Sequence, residues 1–159
     1  MQLTRIADVA GRQIYATRLA NGESFSDTFL ATPFPCLLWT HDAAPLQEFR
    51  IQLARELTRS DCRYAVCGGT DCERLHDIID EAIVEDSLAT GSEDDRPLVM
   101  TTWHAEDSMT DVAEFFIMCT NFEEHHFSKF LVVHLGGAAD EHRRLEQEVA
   151  RTADRAGAL

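Results

Sequence analysis

Short apolar runs alternate with helical patterns along most of the chain, and this alternation is what most constrains the fold. Four runs have strand length and are almost continuously apolar, at residues 36–40, 64–67, 97–101 and 130–133. Parallel strands are joined by crossover helices that cover the sheet, so such strands are buried and apolar throughout. We therefore predict an α/β fold with three layers and a mostly parallel sheet of four to five strands, Rossmann-like or flavodoxin-like.

Apolar residues recur every three or four positions between these runs, which is the spacing of one face of a helix. The pattern predicts helices over residues 46–57, 75–83 and 109–119, and a last helix that Asp140 caps. The polar stretch Glu85 to Arg96 predicts a loop.

The first part of the chain reads as a hairpin outside the α/β pattern. Residues 12–19 lead into Asn21-Gly22, a dipeptide that suits a tight turn, and residues 23–30 would form the second strand. The predicted organisation is an N-terminal hairpin or edge ribbon at 1–32, an α/β core at 33–137 and a C-terminal helix at 138–159.

The chain is strongly acidic, with 28 Asp and Glu against 14 Lys and Arg and a formal charge of −14. This charge repels a phosphate backbone, so we expect no nucleic acid ligand. It suits either plain solubility or a basic protein partner. The candidate partner-binding residues form an acidic stripe on the second helix: Glu73, Asp77, Asp80 and Glu81.

The expected location is cytoplasmic. No apolar run approaches the roughly 20 residues that a membrane span needs, so no membrane association is predicted. The N-terminus also lacks the apolar stretch of a secretory signal. The five cysteines have no regular disulfide spacing and are expected to be reduced thiols.

A parallel sheet places the loops after its strands along one rim, which collects residues 40–42, 68–72, 102–107 and 134–137. Cys72 lies in the first turn of a helix, whose dipole favours a thiolate nucleophile, and His104 could act as its base. Asp71 or Asp107 would orient that histidine. The pocket walls would be His41, Trp103, Gly68, Gly69 and Thr70.

Two other kinds of site fit the same residues less well. The turn at 67–72 lacks the motifs of phosphate-binding loops, and Asp71 would repel a phosphate, which favours a structural turn. Cys62 and Cys67 would lie about 16 Å apart along a strand, too far for one ion. We predict no metal site and no cofactor.

Several of these residues also carry a resemblance. The turn Cys67-Gly68-x-x-Asp71-Cys72, the acidic helix and the string Met100-Thr101-Thr102-Trp103-His104 resemble an uncharacterised family of small bacterial domains of unknown function. The resemblance covers roughly residues 35 to 135, and the turn departs from it at Gly69. It implies a bacterial origin and an α/β domain, and it implies no reaction.

Two functions stay open at this stage. The first is a protein-interaction module, such as an immunity-type, inhibitor or accessory component, that docks a basic surface. The alternative is a small-molecule hydrolase, transferase or ligand sensor that uses the rim residues, and whether the chain is an enzyme is left undecided. A homodimer could also form through the thin apolar stripe of the last helix.

Overall fold

The computed structural model describes residues 1–26, 30–41, 45–90, 98–121 and 126–158. Six strands are present in it: β1 (Thr4–Val9), β2 (Arg12–Leu19), β3 (Phe34–Thr40), β4 (Cys62–Gly69), β5 (Met100–His104) and β6 (Lys129–Leu135). The four helices are α1 (Gln47–Thr58), α2 (Cys72–Thr90), α3 (Met109–Met118) and α4 (Ala139–Gly157).

The strands form one sheet in the order β1-β2-β6-β3-β4-β5. The five strands from β2 to β5 in this order run parallel, and only β1 is antiparallel to its neighbour. The predicted α/β class and mostly parallel sheet are confirmed, although the sheet has six strands rather than four or five.

Burial explains why the central strands are apolar without alternation. All seven residues of β3 are buried, and six of the seven in β6 are. Their side chains pack alternately into two clusters, one on each face of the sheet. The cluster with α1 and α2 takes Cys36, Leu38, Leu131 and Val133, and the cluster with α3 and α4 takes Leu37, Trp39, Phe130 and Val132.

The N-terminal hairpin differs from its prediction. It joins β1 to β2 through Ala10 and Gly11, whose φ angles of 51° and 79° suit a two-residue turn. Residues 23–26 are not in a strand, and 27–29 lie outside the described residues. Since β2 pairs with β1 on one side and β6 on the other, no edge of β2 remains for a strand after Asn21-Gly22.

The predicted loop at 85–96 was wrong for its first part, because α2 continues to Thr90. Glu85 and Asp86 form ion pairs with Arg55 and Arg59 of α1, so these charges belong to the part of α2 that lies beside α1. Residues 91–96 lie outside the described part of the chain.

The third predicted strand was placed too early. It was assigned to 97–101, whereas β5 pairs Met100 with Tyr64 and His104 with Gly68 of β4. An edge strand carries polar residues on partly exposed positions, so an apolar run does not mark its bounds.

Helix α4 covers the sheet with its apolar stripe. Leu145, Val149 and Ala153 are buried in the cluster that contains β2 and β6, so the monomer itself covers the surface expected to form a homodimer. The helix begins at Ala139, with Asp140 in its first turn instead of at its cap. In the described part of the chain, no helix has the length and apolarity to cross a membrane.

Candidate functional site

The carboxyl ends of the parallel strands bring the predicted rim segments together. The amide of Thr70 donates a hydrogen bond to the carbonyl of Thr40 over 2.8 Å, and the amide of His41 donates to that of Leu135 over 3.1 Å. These bonds tie the segments after β3, β4 and β6 to one another.

Strands β3 and β6 define a switch in the direction of the chain. They are neighbours in the sheet, but α1 follows β3 on one face and α4 follows β6 on the other. The segments after such a pair separate and leave a crevice, which is where open α/β sheets bind ligands.

A pocket of about 400 Å³ opens at this rim. Its size is within the range of about 300 to 1,000 Å³ that is typical of small-molecule sites. The lining includes five residues predicted for the site and also an acidic and a basic residue from α4. The lining residues are Trp39, Thr40, His41, Gly69, Thr70, His104, Ala105, Asp107, Met109, Glu141 and Arg144.

His104 and Asp107 form a close pair at the mouth of this pocket. Nδ1 of His104 lies 2.7 Å from Oδ2 of Asp107, and its Nε2 lies 3.3 Å from the hydroxyl of Thr102. If Nδ1 donates to the carboxylate, the unprotonated Nε2 accepts from the hydroxyl. The ring also packs on Phe115 of α3, with centroids 4.5 Å apart. The pair is therefore oriented as a base and its partner carboxylate would be.

Three buried histidines lie at the crevice: His41 after β3, His134 near the end of β6, and His142 in α4. Nε2 of His41 is 3.1 Å from Nδ1 of His134. The ring centroids of His142 lie 4.9 Å from His41 and 4.4 Å from His134. We call these residues the histidine cluster. Burial, and then the neighbouring His142, His41 and Arg18, lower the pKa of His134 to about 3, so this ring is neutral near pH 7.

Two rings of the histidine cluster form hydrogen bonds through Nε2 to groups outside the cluster. Nε2 of His134 lies 3.2 Å from the carboxylate of Glu146, and Nε2 of His142 lies 2.7 Å from the carbonyl of Gly136. Since both acceptors take a proton from Nε2, each ring turns an unprotonated Nδ1 to the other side.

The structure does not bring Cys72 together with His104. Cys72 is buried in the cluster of α1 and α2, whereas His104 contacts Phe115 on the opposite face. The predicted cysteine–histidine pair was therefore wrong. Burial raises the pKa of the Cys36 and Cys67 thiols well above their usual range, as expected of inert core cysteines.

Trp103 was predicted as a pocket wall but lies on the other face of β5. Successive side chains of a strand point in opposite directions, so His104 faces α3 and Trp103 faces α2. Its ring is half-exposed and packs on His76, with centroids 4.5 Å apart.

Asp71 and the two glycines have structural contacts. Nη1 of Arg50, a buried arginine, donates to Oδ2 of Asp71 over 2.7 Å, so this carboxylate is paired outside the pocket. A Cβ on Gly68 would lie 2.7 Å from the ring of Trp39, and one on Gly69 would lie 2.0 Å from the carbonyl oxygen of Thr40. The turn therefore needs glycine for packing, in agreement with its structural interpretation.

The acidic stripe of α2 is divided. Glu73, Asp77 and Glu81 are exposed, whereas Asp80 is half-buried and accepts a 2.6 Å hydrogen bond from the hydroxyl of Thr101. Three of the four residues are thus exposed, with Oδ1 of Asp77 also 3.3 Å from Nδ1 of His76, and Asp80 links α2 to β5.

The histidine cluster was not predicted from the sequence, and no metal site was expected. One ring nitrogen from each of the three lies within 4.8 Å of the others, the one such grouping of potential metal ligands among the described residues. His41 and His134 were assigned to the same rim, but only the strand order makes them neighbours. Glu141 and Arg144 could not be recognised as pocket residues from the sequence, because charged residues in a helix are usually on its solvated face.

The fold and the site together define an α/β protein with a ligand-sized pocket and a buried histidine cluster at the carboxyl ends of its strands. The chain belongs to a family described as Domain of unknown function (DUF7684), whose model matches residues 14–152. This agrees with the resemblance to an uncharacterised family. No curated protein and no solved structure was found to match the chain.

Proposed function

We propose that the rim pocket binds a small molecule and that the chain acts on it as a hydrolase or transferase. The observation that carries this proposal is the pairing of His104 with Asp107 over 2.7 Å at the mouth of a pocket of about 400 Å³. A histidine that a carboxylate orients in this way is a common general base. Cys72 has no part in the proposal, because it lies on the other face of the sheet.

The charge around the pocket favours a neutral or cationic substrate. Asp107 and Glu141 bring two carboxylates to the lining, against the single guanidinium of Arg144. The chain as a whole carries a formal charge of −14, which attracts cations and repels anions at long range. Arg144 could hold one anionic group of a substrate whose remainder is neutral or cationic.

The test combines binding and turnover. A panel of neutral and cationic small molecules is screened by thermal shift, where a ligand at 100 times its Kd adds about 2.7 kcal/mol of stability. Hydrolysis is followed with 4-nitrophenyl acetate as a neutral ester probe. Whichever of the two effects the unmodified chain shows, the thermal shift with a ligand or the ester hydrolysis, should be lost in His104→Gln. His76→Gln is the matched control, because His76 lies on the other face of β5.

If His104→Gln and Asp107→Asn bind every member of the panel as the unmodified chain does, and release 4-nitrophenol at the same rate, the pair has no role in function.

A second candidate function is docking of a basic partner at the edge of the sheet, as an immunity-type, inhibitor or accessory component would do. Strand β5 ends the sheet, and no strand of the described residues pairs with its outer side. Trp103 is 48% exposed there, beside the exposed acids of α2. An extended basic segment of a partner could pair with β5, cover the indole and meet these carboxylates.

This second candidate is tested by affinity purification at low and raised salt. We expect a stoichiometric partner with the unmodified chain and with Met118→Ala, a change at an exposed apolar residue elsewhere. Trp103→Ala and Glu81→Lys should lose that partner. Recovery that is equal for all four chains would reject docking at β5.

We propose a bacterial, cytoplasmic protein, a location that the five free thiols support. We further propose that its helices and sheet form a three-layer arrangement of the Rossmann-like or flavodoxin-like kind. Helices α1 and α2 on one face, with α3 and α4 on the other, support this arrangement.

A further inference from the structure

We propose that His41, His134 and His142 form a binding site for a divalent transition metal, with Zn²⁺, which sites of three histidines are known to hold, as the candidate ion. This inference stands on the histidine cluster and does not require that the rim pocket bind a small molecule. The three side chains are between 0% and 5% exposed, and they come from three different parts of the fold: the segment after β3, strand β6 and helix α4. One nitrogen of each lies within 4.8 Å of the other two.

The spacing of the nitrogens fits a shared ion. Zinc binds imidazole nitrogen at about 2.0 to 2.1 Å in tetrahedral geometry, which places two ligand nitrogens about 3.3 Å apart. Nε2 of His41 and Nδ1 of His134 are 3.1 Å apart. Closing the third ligand onto this pair requires a shift of His142 of at most about an ångström or two, which is within ordinary side-chain adjustment.

The nitrogen of His142 that faces the cluster points to a ligand independently of the spacing. Nδ1 of His142 is fully buried and has no hydrogen-bond partner among the described residues. Its Nε2 donates to the carbonyl of Gly136, so Nδ1 holds a lone pair. A buried acceptor without a partner destabilises the folded chain, and a metal ion bound to it would remove that penalty.

The groups behind the rings are those that metal sites use. A metal-bound histidine usually donates its other N–H to a carboxylate or a backbone carbonyl, which fixes the ring and its tautomer. His134 has the carboxylate of Glu146 in this place and His142 has the carbonyl of Gly136. The predicted ligand atoms are therefore Nδ1 of His134, Nδ1 of His142 and Nε2 of His41.

The proton balance of binding is simple. In the metal-free chain, Nε2–H of His41 donates to Nδ1 of His134, because the proton of His134 is held on Nε2 by Glu146. When the ion binds, Nε2 of His41 gives up that proton, either to the other nitrogen of the ring or to solvent, so that all three rings ligate through a lone pair. Since His41 also lines the rim pocket, a fourth ligand position could open towards it.

The test uses Zn²⁺ alone on chelator-treated chain. Equilibrium dialysis with metal analysis should give one equivalent of Zn²⁺ per chain, and Co²⁺ in its place should give the visible absorption of a tetrahedral nitrogen site. Loss of a ligand should weaken binding more than the 10- to 100-fold typical of an outer-shell change. We thus expect His142→Asn to weaken it at least about 100-fold, and Glu146→Gln about 10- to 100-fold. His126→Gln, at an exposed histidine, is the matched control.

A measurement on the unmodified chain covers the case in which these variants do not fold. Long-range proton–nitrogen spectra of the histidine rings should show shifts at His41, His134 and His142 on addition of Zn²⁺, with His76 and His104 unchanged. Less than about a tenth of an equivalent of bound ion, or ring shifts only at His126, would reject the site and leave a buried hydrogen-bonded cluster. The two proposals separate, because His104→Gln should remove ligand binding at the pocket and retain the metal.

Discussion

Substitution of Gly69 by alanine tests how the rim is held together. Gly69 ends β4 with a φ angle of 81°, and a Cβ there would lie 2.0 Å from the carbonyl oxygen of Thr40. The same carbonyl accepts the 2.8 Å hydrogen bond from the amide of Thr70. The new methyl group would therefore force apart the two segments that form one wall of the pocket.

The loss of stability expected in Gly69→Ala is the sum of three contributions. A positive φ costs an L-residue about 1 to 2 kcal/mol. Loss of the hydrogen bond between Thr70 and Thr40 adds about 1 kcal/mol, and the displaced backbone adds a similar amount. We expect Gly69→Ala to lower the free energy of unfolding by about 3 to 4 kcal/mol, a large part of a typical total of 5 to 15 kcal/mol.

Gly11→Ala is the matched control. Gly11 has a φ angle of 79°, but a Cβ there would meet nothing within 4 Å. This variant should therefore show the conformational cost alone, about 1 to 2 kcal/mol. Both free energies are measured by urea denaturation at equilibrium. If the two variants differ by less than about 0.5 kcal/mol, the contact with Thr40 does not hold the rim and the steric argument is wrong.

Three further predictions concern the cysteines and tryptophans. In native chain, a thiol reagent at pH 8 should react quickly with one of the five cysteines, the exposed Cys119, and with all five after unfolding; two or more fast thiols would contradict the burial of the others. Burial raises the pKa of Cys36 and Cys67, so the unfolded chain loses these protons first, and stability should fall above about pH 9 by about 1.4 kcal/mol per thiol and pH unit. The free energy of unfolding, measured by urea denaturation between pH 8 and 10.5, should fall less steeply with pH in Cys67→Ala than in the unmodified chain. In Cys119→Ser its dependence on pH should be unchanged. Trp39→Ala should cost about 3 to 5 kcal/mol because its ring is buried, whereas Trp103→Ala should cost less than about 1 kcal/mol, and equal denaturation midpoints would refute this contrast.

The parallel core could be predicted from the sequence because strands that are buried on both faces are apolar at nearly every position. Residues such as Leu37 and Leu38 of β3 face different clusters, so the strand has no polar face. The edge strand β5 is harder to recognise because its sequence is less apolar. Strand β5 mixes Met100 and Trp103 with threonine and histidine, and its bounds follow from pairing with β4 instead of from apolarity.

The rim on which the candidate residues lie could be predicted from the sequence, whereas which of them share a face of the sheet could not. Parallel strands put His41 and His104 at one rim, and both line the pocket. Which face of the sheet a side chain occupies depends on where each crossover helix packs, and local sequence does not encode this. For that reason Cys72 was predicted to pair with His104, although the two side chains lie on opposite faces of the sheet.

The histidine cluster depends on the one step of the topology that no local pattern predicts. Strand β6 lies between β2 and β3, which places His134 beside His41 although 93 residues separate them. Had β6 followed β5 at the outer edge, His41 and His134 would be several strands apart, at about 4.8 Å per strand. The same insertion sends α4 over the face opposite to α1, so it both opens the crevice and brings His142 into it. The pocket and the histidine cluster are therefore two consequences of a single strand placement, and any relative with this strand order and these three histidines should have both.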